Sequence, residues 1–139
     1  MSAMFATKWP LRRKEPAVGE AEQLSAGVTA RQAVEDAERR GAVPHLLDGA
    51  DLHSKRTVLD GIAAALNFPE WAGRNLDALY DCLTDLTWLP EGEHVLVWSG
   101  HRALAEHDPK AYRGINAVLQ DASENSLCGR TFTAVLPRD

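Results

Sequence analysis

The chain has 139 residues, of which 45% are hydrophobic and 25% charged, and a formal net charge of −5. That length suits one domain with a core of its own, needing neither disulfides nor metal. Its two cysteines, Cys82 and Cys128, form no disulfide framework, and Lys8, Arg12, Arg13, Lys14 and Glu15 interrupt any apolar run that would make a signal peptide or membrane span. A protein of a reducing cytoplasm is the expectation.

Residues 1–28 mix Pro10, Pro16, Gly19, Gly27 and charges without a period, and read as a flexible N-terminal arm in which Phe5, Trp9 and Leu11 offer docking points. Thr29 then opens a short helix that Gly41 stops. Val43–Leu47 reads as a strand closed by the turn Asp48–Gly49. Ser54 caps a helix to about Asn67 with Val58, Leu59, Ile62, Ala65 and Leu66 on its apolar face, and Pro69 and Gly73 mark a loop. A further helix lies between Asn75 and Thr87, a short strand at Val95–Trp98, a helix at Pro109–Glu124 with Pro109 in its first turn, and a last strand at Thr131–Leu136. Three strands separated by helical stretches predict an α/β domain over residues 29–139. It should be a small three-stranded parallel sheet flanked by helices and joined by right-handed crossovers.

The helix after Asn75 carries the most telling pattern. Leu76, Leu79, Leu83 and Leu86 form a buried stripe, while Asp77, Asp81 and Asp85 recur every four residues on the opposite side. Each like-charge pair at that spacing costs a helix roughly 0.2–0.5 kcal/mol, and Asp85 lies near the C-terminal end, where the helix dipole disfavours an anion. A cationic partner gives a reason to keep such a ridge. Charge along the chain points the same way. Residues 42–139 hold eight Lys/Arg against fourteen Asp/Glu, and from Glu70 to Glu93 six acids face a single base, Arg74. Such a surface repels nucleic acid.

Other chemistry finds little support. Three aspartates on one helix do not surround a divalent ion, and His45, His53, His94, His101 and His107 lack zinc spacing. Cys82, at the margin of the leucine stripe, reads as a small buried residue. Trp88 and Trp98 read as core or edge residues, and neither a Gly-rich phosphate loop nor a GxSxG elbow occurs. No catalytic constellation, metal or cofactor is expected.

The stretch LNFPEWAGRNLDALYDCLTDL, from Leu66 to Leu86, resembles the corresponding segment of the barstar family of ribonuclease inhibitors in its hydrophobic-Pro-Glu turn, aromatic, Gly73 and the frame from Asn75 to Thr84. Leu47-Asp48-Gly49, Val118-Leu119-Gln120 and the final apolar strand extend the likeness to about Val43–Leu136. The resemblance implies a three-stranded parallel sheet and a non-catalytic inhibitor that plugs the active site of a basic bacterial ribonuclease. Its contact positions fall on Trp71, Asn75, Asp77, Tyr80, Asp81 and Thr84, with Glu124 matching a further acidic position and Gly73 expected at positive φ in the presenting loop. Where the family has two consecutive tyrosines this chain has Trp71-Ala72; Tyr80 stands for a tryptophan, and Asp85 and Leu86 for a glycine and a tryptophan. Rival readings are an immunity or regulatory module for another basic protein, and a metal-dependent enzyme using the acidic ridge.

Overall fold

The computed structural model describes residues 27–125 and 129–138; Cys128 and the arm proposed for residues 1–28, apart from its last two residues, lie outside them. Helix α1 (Ala30–Arg39) starts where the sequence places it. Thr29 Oγ1 accepts the Gln32 N–H at 3.1 Å while Gln32 Oε1 accepts the Thr29 N–H at 2.9 Å, which satisfies two helix-end donors reciprocally. Gly41, at φ 84°, lets the chain turn out of the helix.

Strand β1 (Val43–Asp48) is followed by α2 (Lys55–Ala65), where Ser54 and Thr57 cap one another. Next come α3 (Leu76–Asp85), β2 (Gly92–Ser99), α4 (Arg102–His107), α5 (Pro109–Glu124) and β3 (Arg130–Val135). The sheet order is β1-β2-β3, parallel throughout, with Leu47 beside Trp98 and Leu96 beside Ala134. The α/β fold expected from the sequence is the one observed. The short α4 was not anticipated: it spans 6 residues and has no side-chain cap, so periodicity has too little length to register.

Side-chain alternation divides the sheet into two unequal faces. Leu47, Leu96, Trp98 and Phe132 pack with Val58 and Ile62 of α2, Leu79 and Leu83 of α3, and Ile115 and Leu119 of α5. Both crossovers therefore lie on one face. On the other, Val95 and Val97 meet Ala33 and Ala37 of α1, whose small side chains permit a close approach. Burial on both faces explains why β2 reads as an unbroken apolar run. Arg40 ties α1 down, with Nε and Nη2 on Glu93 at 3.1 and 2.8 Å and Nη1 on Asp36 at 2.6 Å. No helix among the described residues is long and apolar enough to cross a membrane.

Candidate protein-binding surface

The surface begins at the connection between α2 and α3, which is anchored from below. Trp88 donates its indole N–H to the Leu66 carbonyl at 2.8 Å and packs edge-on against Phe68, with ring centroids 5.8 Å apart. The backbone then closes a turn, Ala72 N–H to Pro69 O at 3.0 Å. Ala72 points inward, and Trp71 at the tip is left 78% exposed, more than Leu46 or Val43, the other exposed large hydrophobic residues among those described. A large aromatic left facing water at a hydrogen-bonded turn is a side chain of the kind that protein interfaces favour.

Gly73 corrects an expectation. Positive φ among the described glycines occurs at Gly41, Gly92, Gly100 and Gly129, not at Gly73. The constraint there is space: a Cβ would lie 3.1 Å from Asn75 Nδ2 and 3.6 Å from Ala78 Cβ. The glycine leaves room for the Asn75 side chain, whose Oδ1 accepts the Ala78 N–H at 2.8 Å and caps α3. The cap uses one lone pair of that oxygen and leaves the Nδ2 protons without a hydrogen-bond acceptor among the described residues.

Helix α3 buries Leu79, Cys82 and Leu83 and keeps Asp77 and Asp81 exposed, as the spacing implies. Among the described residues neither of these two carboxylates has an ion-pair or hydrogen-bond partner, whereas Asp85 is half-buried and accepts from Thr87 Oγ1 at 3.3 Å. Thr84 turns its hydroxyl proton back to the helix, toward Tyr80 O at 2.9 Å and Asp81 O at 3.2 Å, so outwardly it offers an acceptor. The helix ends at Leu86, held in the left-handed region at φ 50° with its side chain buried. That backbone conformation costs a non-glycine residue about 1–2 kcal/mol, and burying a leucine, worth roughly 1.5–3 kcal/mol, offsets it.

Asp77 and Asp81, with Leu76 and Tyr80, line a shallow, open depression bordered by Val118 and Asp121 of α5. Asp121 escaped the sequence reading, although its i, i+3 spacing to Glu124, which ends α5 exposed, put both on one face. The contact positions expected from the sequence thus fall on the turn, on α3 and at the end of α5, with Tyr80 half-buried at the depression. Cys82 lies beneath this surface; burial, and then the fields of Asp81 and Asp85, push its thiol above the usual range, which disfavours a nucleophilic thiolate. Among the described residues no group of three or more His, Cys, Asp or Glu is placed to hold a metal ion.

Residues 43–136 match the family model described as Barstar (barnase inhibitor). The match begins at β1, so α1 lies before it. Over 45 residues the chain is 44% identical to a Bacillus subtilis (strain 168) protein named "Putative ribonuclease inhibitor YrdF". That stretch is 32% of this chain and spans 50% of that relative.

Proposed function

The chain belongs to the barstar family, and from that premise we propose that it is a stoichiometric, non-covalent inhibitor of a basic bacterial ribonuclease, acting in the cytoplasm of the cell that makes the enzyme. The observation that carries this reading is the pairing of an exposed Trp71 at a braced turn with the carboxylates of Asp77 and Asp81 on the next helix, which have no ion-pair or hydrogen-bond partner among the described residues. A ribonuclease gathers Arg, Lys and His around the RNA phosphates. Carboxylates held on a rigid helix take those phosphate positions, with bidentate geometry available to arginine. Trp71, Asn75, Asp77, Tyr80, Asp81 and Thr84 make the contact, with Gly73 shaping the loop and Glu124 extending the acidic face. Opposite charge steers the encounter and makes it salt-sensitive, behaviour for which barnase and barstar are themselves the standard example. Occlusion of the site requires no bond-making, metal or cofactor.

Titration of RNA cleavage by purified barnase tests the proposal. Activity should fall linearly to an endpoint of one inhibitor per enzyme, return on dissociation at high salt, and be indifferent to EDTA. Full cleavage at saturating protein would reject barnase as the target. Loss of inhibition in EDTA with rescue by Mg²⁺ or Zn²⁺ would instead support a metal site on the acidic ridge.

A further inference from the structure

Arg74 is the one base between Glu70 and Glu93, set between the two features proposed to meet a basic partner, the Trp71 turn and the acidic helix. On charge alone it opposes binding. Its side chain does not face outward, however: it is 29% exposed, against 73% for Arg56 on the neighbouring helix. The guanidinium folds back, Nε donating to Asp60 Oδ1 of α2 at 2.7 Å and Nη1 to the Ala72 carbonyl at 2.9 Å. Ala72 is the last residue of the turn that displays Trp71, and its N–H already closes that turn on Pro69. One planar group therefore joins the turn to the middle of α2, one residue before the Asn75 cap starts α3.

We infer that Arg74 is a positioning residue that clamps the Trp71 turn to α2 and holds it in fixed orientation beside the acidic face of α3, an assignment that rests on the inhibitor reading given above. The fork geometry of arginine suits two acceptors held at a fixed angle, which a lysine ammonium does not reproduce. Asp60 matches the charge: the Arg74 hydrogen bond, with help from Arg56, holds its carboxyl below the usual range, so it stays ionised at neutral pH. The cation is thereby withdrawn from the partner while its donors order the loop.

Amide hydrogen exchange of the free chain and binding kinetics with purified barnase test this in Arg74→Met, Arg74→Lys and Asp60→Asn. Exchange at residues 70–75 should quicken about tenfold in Arg74→Met and Asp60→Asn, with α5 unchanged, and Arg74→Lys should restore protection only in part. The double variant should be no worse than either single one. Against barnase, Arg74→Met should dissociate about tenfold faster while associating as fast as the parent or faster, since a like charge has been removed. Parental exchange at 70–75 in Arg74→Met, or a complex that forms faster and dissociates no faster, would overturn the assignment and leave Arg74 a mere repulsive charge. Should Arg74→Met not fold, the Asp60→Asn exchange decides by the same criterion. If barnase binds equally well after Asp81→Ala, the inhibitor reading is what fails; if it does not bind the parent at all, barnase is rejected as the target, and in both cases the exchange comparison still decides the clamp.

Discussion

His45 Nε2 and His94 Nδ1 face each other at 3.0 Å beneath α2, and the second nitrogen of each ring meets a carbonyl, Ala65 O at 3.2 Å and Pro90 O at 2.7 Å. Carbonyls only accept, so completing the three contacts takes three ring protons, and two neutral imidazoles supply two. A third proton would place a charge where His94 is fully buried. Burial first, and then the neighbouring imidazole, push His45 below the ordinary histidine value; burial does the same to His101.

The sign of the pH dependence follows. The unfolded chain takes up these protons near pH 6.5, and the folded chain only at lower pH. The unfolded state therefore holds more protons in that window, and stability falls on acidification below about pH 6.5 until the lowered folded values are passed. Melting temperature should drop between about pH 7 and 5, and less steeply in His45→Gln. An unchanged slope in that variant would show that His45 does not carry the effect.

Asp81→Ala should weaken ribonuclease binding by about 2–5 kcal/mol, a range that itself draws on the barnase–barstar pair, because a buried partner cation is left unpaired. Asp77→Ala should rank next. Glu91, exposed outside the depression, should alter mainly the association rate and its salt dependence. Equal small losses at Asp81 and Glu91, measured by stopped flow, would identify a solvated face rather than a hot spot.

Gly73→Val should disturb the Asn75 cap through contact rather than backbone strain, since its Cβ would meet Asn75 Nδ2 at 3.1 Å. The loss should be about 1 kcal/mol in denaturant unfolding, the scale of a lost cap, with inhibition harmed more than by replacing exposed Lys110. Normal inhibition by a folded Gly73→Val protein would remove the loop from the binding apparatus.

Asn75 separates capping from contact. Asn75→Asp keeps an oxygen for the Ala78 N–H and places an anion at a helix N-terminus, so stability should hold. Asn75→Ala should lose about 1 kcal/mol. A partner that uses the Asn75 amide donor will be weakened by both variants. If Asn75→Asp binds as the parent does, the residue acts through the cap alone.

The elements legible in the sequence are those written in local chemistry. Thr29, Ser54, Asn75 and Asp108 cap the helices that follow them, and the apolar positions of α2, α3 and α5 recur at helical spacing, so each helix is specified by residues within a few positions of one another. The opposition of leucine stripe and aspartate ridge on α3 belongs to the same class. The sequence alone did not reveal that Arg74 turns away from the acids to clasp Asp60 and Ala72, that Asp121 lies near Asp77 and Asp81, or that the rings of His45 and His94 meet across 49 residues. These depend on which helix packs over which strand and at what register. Only packing brings such groups within hydrogen-bond distance, and spacing along the chain carries no record of it.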